Sequence, residues 1–246
     1  MIKWVGESGH WPISSSNDGL FVMPLVEETV LEVAFSADYA NHRRLLPGAA
    51  AACTSRLAQC VALSGTGLNP KWEPIKLWAD RRIAVKAAAS SLNQGVRFYH
   101  PTEYTELLTK YLPELVHFGV MEEFLDGAAW EIDGAIVGGQ ALTFHPLLQE
   151  WSGDGTRILA YRRATPEMPG IQDAALAAVH AVGLDDCPFC VELREAITGW
   201  KVIEIHARLG EDQGLAAMMS DEPPLEAIRR FATKVVSESP LAKAMG

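Results

Sequence analysis

Two glutamates in the second half of the chain carry the strongest chemical signal. The segments FCVELRE (residues 189–195) and KVIEIHA (201–207) flank a loop that can be drawn as Ile197-Thr198-Gly199. A three-residue loop closed by glycine is a common hairpin connection. In that register Glu192 lies directly across from Glu204, with Arg194 and His206 on the same face by the period-two rule. Opposed carboxylates repel and weaken a strand pair, and a cation between them would offset that cost. Oxygen ligands on two strands, with positions left for phosphates, suit Mg²⁺. The same alternation also fits a solvent-facing strand with incidental charges. A two-residue loop would shift the register by one and remove the opposition.

Two weaker signals precede the hairpin. Lys86 sits inside the apolar strand Ile83-Ala84-Val85-Lys86-Ala87, where a lysine is costly unless it meets a partner or ligand. A small, polar loop follows, with Ser90, Ser91, Gln94 and Gly95. Its backbone N–H groups can approach an anion, so lysine and loop together read as a phosphate clamp or as an edge-strand lysine before an ordinary turn. Glu122-Glu123-Phe124-Leu125 ends another strand. Backbone exposed there beside an aromatic ring can read an adenine edge. Cys187 and Cys190 form a Cys-Pro-Phe-Cys pair, a spacing seen in thiol exchange and metal binding. Cys53 and Cys60 do not supply the matching second pair of a zinc site, so small buried residues at a strand start are the plainer reading.

These residues need elements to hold them. Residues 1–20 read as mostly loop, 21–35 as one or two strands, and 49–63 as a helix. A Gly/Pro loop spans 64–76. Strands are expected over 82–87, 96–100, 118–125, near 135–144 after a break at Gly134, and over 155–163. Thr102 is placed as the N-cap of a helix running to about Leu112. A helix over 171–183 ends at Gly183, and an amphipathic helix covers 224–237.

Composition bounds the function. With 246 residues, 48% hydrophobic and 21% charged, the chain can fill a core and is neither disordered nor a disulfide miniprotein. Its net charge of −10 opposes phosphate backbones, so no nucleic-acid partner is expected. No apolar run approaches the roughly 18 residues of a membrane helix, and the N-terminus lacks a secretory pattern. No membrane partner and a cytoplasmic location are therefore expected.

Taken in order, the pieces resemble the ATP-grasp superfamily, in particular its carboxylate–amine ligases of the L-amino-acid ligase and D-alanine–D-alanine ligase type. Val85-Lys86 with Ser90, Ser91 and Gln94-Gly95-Val96 looks like the lysine strand and mobile loop. Met121 to Gly127 looks like the adenine hinge, and the hairpin looks like the metal-binding strand pair. The resemblance covers residues 76–215. It implies an α+β fold with two α/β subdomains, mostly antiparallel, enclosing a nucleotide cleft. Residues 1–75 would be a remnant of a preceding domain, 76–127 a shortened lid and 128–246 the catalytic subdomain.

The resemblance also implies roles. Lys86 would contact ATP phosphates, and Ser90, Ser91 and Gly95 would fold over them. Glu122 would accept the adenine amino group, with Glu123, Phe124 and Leu125 alongside the base. Glu192, Glu204 and His206 would hold Mg²⁺, and Arg208 would stabilise transferred phosphoryl oxygens. Arg157, Arg162 and Arg163 would add positive charge near the phosphates, or line a solvated strand edge. The implied reaction joins a small-molecule carboxylate to an amine, amino acids first among them, and allows a homodimer. A second reading is a non-catalytic nucleotide-binding or interaction protein. Departures from the family pattern are His206 for asparagine, Ala87 for proline, and Ala129 for a ribose-binding glutamate, with Glu131 two residues on. Lys76 stands only ten residues before Lys86, too few for the usual unit between the two lid lysines.

Overall fold

The computed structural model describes residues 2–6, 21–73, 81–87, 96–103, 119–153, 158–164, 168–210 and 220–239. Its strands are β1 (Ile2–Val5), β2 (Phe21–Pro24), β3 (Arg43–Arg44), β4 (Trp72–Glu73), β5 (Ile83–Ala87), β6 (Val96–Tyr99), β7 (Gly119–Glu123), β8 (Ala129–Val137), β9 (Gln140–Thr143), β10 (Leu147–Trp151), β11 (Ile158–Arg163), β12 (Cys187–Ala196) and β13 (Gly199–His206). Helices α1 (Glu27–Phe35), α2 (Pro47–Thr54), α3 (Arg56–Ala62), α4 (Ile171–Ala181) and α5 (Pro224–Glu238) pack around them.

The strands form three sheets. The largest runs β11-β10-β8-β12-β13, with β9 paired to β8. All its pairings are antiparallel. β8 lies at its centre and is buried along its whole length, because both of its faces are covered. Trp130, Ile132 and Ile136 on one face join a core with Ile171, Ala175, Ala178 and Val179 of α4 and with Val30 and Val33 of α1. Ala135 and Val137 on the other face join a second core with Ala227, Ile228, Ala232 and Val235 of α5. Ahead of Ala135 on that second face stand Glu131 and Asp133, so a polar stretch interrupts an otherwise apolar layer.

A four-stranded antiparallel sheet, β4-β7-β5-β6, supplies the opposite wall of the cleft. Ile83 and Val85 point into its covered side. Ala84 and Lys86 alternate with them onto the cleft side, beside Glu122 on β7 and Phe98 on β6. The third sheet is a parallel set, β1-β2-β3, with α1 lying between β2 and β3 in the chain.

Several elements differ from expectation. Residues 2–5 are a strand rather than loop, and residues 27–35 are helix rather than strand. Glu27 and Glu28 in the first turn of α1 favour its N-terminal dipole, and Val30, Val33 and Ala34 fall on one buried face at helical spacing. That burial outweighs the strand preference of Val and Thr. The single helix over 49–63 is two, broken at Ser55, whose extended backbone lets its hydroxyl accept a hydrogen bond from Ala58 N at 3.4 Å. β4 lies inside the stretch read as a Gly/Pro loop. Gly134 interrupts nothing: a side chain there would collide with the Leu142 carbonyl and the Phe189 ring, so glycine is what allows β8 to run on. The turn comes four residues later, at Gly138-Gly139, both with positive φ, and β10 follows unannounced by the sequence. Thr102 sits inside a 3-10 turn, Pro101–Glu103, and the expected helix to Leu112 lies outside the described residues. No described helix is long and apolar enough to cross a membrane.

Candidate functional site

The cleft between the large and the four-stranded sheet is lined by Lys86, Glu122, Glu123, Phe124, Leu125, Glu192 and Glu204, together with Phe98, Gln149, Trp151 and Arg194. The hairpin below it opposes Glu192 to Glu204, as expected, but by a different route. Ala196 pairs with Gly199, so the loop has two residues, Ile197 and Thr198. A bulge then skips Ile203: Leu193 pairs with Val202 and Glu192 with Glu204. The shorter loop and the bulge each move the register by one and cancel. The bulge has a further use, since the Ile203 carbonyl accepts a hydrogen bond from Lys86 Nζ at 3.1 Å.

The register continues across the sheet. Glu131 on β8 stands opposite Glu192, and Asp133 stands opposite Cys190, which in turn faces His206. Burial and the neighbouring Glu204 charge push the Glu192 carboxyl up to about 7. Burial, then Asp133, pushes Glu131 up to about 8, and burial lifts Asp133 to about 6. All three keep protons in the fold that an unfolded chain releases at lower pH. Without a divalent cation, the melting temperature should therefore fall as pH rises from about 4.5 to 8. Saturating Mg²⁺ should flatten that fall. Thermal melts across this window with chelator and with Mg²⁺ measure it, and a metal-free protein that gains stability with pH would contradict it.

Lys86 pairs with Glu122 at 3.0 Å. Glu122 is 1% exposed and also meets Arg56 Nε at 2.5 Å. Arg56 in turn donates to Gln59 and, at 3.3 Å, to the Val202 carbonyl. Burial would raise Glu122, but the charges of Arg56 and Lys86 hold it below the usual carboxylate range. Arg56 was not among the residues singled out from sequence. The signal for it is that Arg56, Gln59 and Cys60 recur at helical spacing on one polar face of α3, and all three are buried.

At the end of β7, Glu123 accepts from the Lys71 amide at 2.9 Å. Phe124 meets Phe98 edge-to-face at 5.2 Å, and the Arg82 guanidinium lies 3.9 Å from its ring centre. Arg194 donates to the carbonyls of Leu125 and Gly127 at 3.4 and 3.1 Å. His206 and Arg208 stand beside the cleft and share a partner that sequence reasoning missed. Glu27 Oε2 accepts from Arg208 Nε at 2.8 Å and lies 3.3 Å from His206 Nδ1, while His206 Nε2 is 3.9 Å from Glu204. Burial alone would lower His206, but the Glu27 hydrogen bond and the Glu204 charge prevail and raise it.

Other sequence candidates fall elsewhere. Ser90, Ser91, Gly95 and Arg157 lie outside the described residues. Arg162 pairs with Glu150 at 2.6 Å and Arg163 with Asp221 at 2.9 Å, at the sheet edge rather than over the cleft. Cys187 and Cys190 are three apart on one strand and so point to opposite faces. That divergence removes the paired redox or zinc reading, and burial raises both thiols well above their ordinary range.

The donor set fits a hard divalent cation: burial and the opposed Glu204 charge both disfavour the ionised form of Glu192, and such an ion would relieve them. No family model and no curated protein matches the sequence. The fold does match solved structures. One is an L-amino acid ligase from Bacillus licheniformis, at TM-score 0.72 and 18% identity, covering 86% of this chain and 55% of that one. Another is a D-alanine–D-alanine ligase from Bacillus anthracis, at TM-score 0.63 and 15% identity, covering 91% and 83%. A third is a biotin carboxylase–β,γ-ATP complex from Campylobacter jejuni, at TM-score 0.65 and 14% identity, covering 86% and 54%. The chain thus spans about half the length of two of the three.

Proposed function

We propose that this chain, which has the ATP-grasp fold, is an ATP-dependent carboxylate–amine ligase. The observation that supports it best is that Lys86, Glu122, Glu192 and Glu204, drawn from two sheets, converge on one cleft. In this reading the backbone at Glu123, Phe124 and Leu125 meets the adenine edge, and Glu122 accepts from its amino group while holding Lys86 for the phosphates. Ser90, Ser91 and Gly95 cover the triphosphate. Glu192, Glu204 and His206 hold Mg²⁺, which supplies neutralisation of phosphate charge.

Substrate carboxylate oxygen attacks the γ-phosphorus, the bond to the β-phosphate oxygen breaks, and ADP leaves. An amine then attacks the acyl carbon, phosphate departs, and the amine nitrogen loses its extra proton to solvent. Positioning and charge neutralisation supply most of the rate in such transfers. Arg208 would serve the phosphoryl oxygens once turned from Glu27. The names of the two ligases of similar fold make amino acids the first substrates to try.

The test is ADP release from ATP and Mg²⁺ over a panel of amino acids singly and in pairs. ADP formation that requires both an acid and an amine is the expected result. Stabilisation by ATP with no ADP from any pair would favour the second reading, a nucleotide-binding protein without turnover. The engagement of Arg208 and His206 by Glu27 is the observation on that side.

A further inference from the structure

Beneath the cleft, three side chains with metal-ligand atoms meet outside the Glu192–Glu204 pair. Glu131 and Asp133 of β8 and Cys190 of β12 bring one ligand atom each to within 4.8 Å of one another. All three are buried, at 3%, 1% and 2% exposure. Strand register explains the meeting: Asp133 stands directly opposite Cys190, and Glu131 is two residues before Asp133 on the same face.

Only half of the carboxylate oxygens have donors. Glu131 Oε2 accepts from Gln149 Nε2 at 3.0 Å, and Asp133 Oδ1 accepts from the Gly210 amide at 2.7 Å. Glu131 Oε1 and Asp133 Oδ2 are buried and have no hydrogen-bond partner among the described residues unless the two carboxyls share a proton with each other. With both carboxylates ionised, two buried acceptors beside a thiol lack what a stable interior requires. Arg208 donates to Glu27 and to the Leu209 carbonyl, and its charge acts on Asp133 without neutralising both carboxyls.

The donor set selects the cation. Mg²⁺ takes oxygen ligands and near-octahedral geometry. A thiolate with two carboxylates suits Zn²⁺ and its neighbours, with three protein ligands and a fourth position open. Tetrahedral zinc places its ligand atoms about 3.5 Å apart, a short inward movement from the spacing here.

We propose that Glu131, Asp133 and Cys190 form a second cation site, separate from the Glu192–Glu204 pair, that takes Zn²⁺ or a cation of similar softness. It does not depend on the ligase reading. Binding sends the thiol proton to solvent and gives both orphan oxygens a partner. The ion would tie β8 to β12 and, through Asp133, to the turn at Gly210 that follows Arg208. A side chain at Gly210 would run into the Glu131 carboxylate, so the turn is already pressed against the site.

Co²⁺ added to the metal-stripped full chain, with Mg²⁺ in excess, tests this. Expected are one tightly held equivalent by elemental analysis and a thiolate-to-Co²⁺ charge-transfer band. Cys190→Ser should lose the band, and Glu131→Gln should weaken binding about tenfold or more. Glu204→Gln should leave both signals in place. Zn²⁺ should displace Co²⁺ and bleach the band. If Cys190→Ser does not fold, Glu131→Gln decides. No bound Co²⁺ in the wild type, a band that survives Cys190→Ser, or an affinity unchanged in Glu131→Gln would mean that the two carboxyls share a proton instead. A band lost in Glu204→Gln would merge the two sites and overturn the proposal while leaving the ligase reading intact.

Discussion

Glu204→Gln should lower ADP release about 10³-fold while the metal-free protein melts at the same temperature or higher. The two directions have one cause. Glu192 and Glu204 face each other across β12 and β13, and like charges so placed weaken the pair of strands. Removing one charge relieves that repulsion and lets Glu192 fall back toward its ordinary range. It also removes half of the charge that would hold Mg²⁺, so the rise in melting temperature on adding Mg²⁺ should shrink in the same variant. A residue kept for stability would show the opposite pattern, with melting temperature and activity falling together. Unchanged turnover in Glu204→Gln would sink the cation assignment. An unchanged Mg²⁺ effect on melting would place the ion elsewhere. The substitution keeps shape and hydrogen-bonding capacity, so packing loss does not blur the comparison.

The opposition of these glutamates was legible in the sequence for an incomplete reason. The alternation FCVELRE and KVIEIHA fixes which side chains share a face, but the loop length does not follow from Ile197-Thr198-Gly199 alone. The bulge at Ile203 leaves no mark in residue type, and its use, a carbonyl for Lys86, becomes visible only when β5 lies over β13. The order of the strand bearing Lys86, the strand ending at Glu123 and the β12–β13 hairpin was readable because each is local. Partners distant in sequence were not. Glu27 stands 181 residues from Arg208, and Arg56 stands 66 from Glu122. In β8, Gly134 suggested a break because glycine weakens strands, yet the close approach of Phe189 and the Leu142 carbonyl requires it. In α1, Val30 and Val33 suggested a strand by propensity, and burial of one helical face overruled it. Local chemistry survives translation from sequence to fold, while the contacts that tune it depend on which surfaces meet.

Arg56→Met should cost about 3–5 kcal/mol, because it leaves a buried carboxylate short of a partner. The Arg56 and Glu122 side chains are only 6% and 2% exposed, so water cannot replace the lost guanidinium. Lys86, which is shared with the Ile203 carbonyl, and the weak Cys60 thiol donor at 3.6 Å are what remain for Glu122. The pH dependence follows from the sign of the shift. Glu122 is held below its ordinary value, so its contribution is present above about pH 4.5 and fades as pH falls through the folded-state value. Urea unfolding of wild type and Arg56→Met should therefore differ most near neutral pH and converge in acid. A loss under about 1 kcal/mol at pH 7 would mean that Arg56 matters little to Glu122. The double variant Arg56→Met/Glu122→Leu separates stability from function. Apolar replacements for a buried ion pair are often neutral or better, so most of the stability should return. Stabilisation by ATP should not return with it, since Lys86 then has no carboxylate to hold it against the cleft. Recovery of both would show that the charges serve only the core. Recovery of the fold without the nucleotide response would show that the buried Arg56–Glu122 pair serves nucleotide binding, either by holding Lys86 against the cleft or through the adenine contact proposed for Glu122.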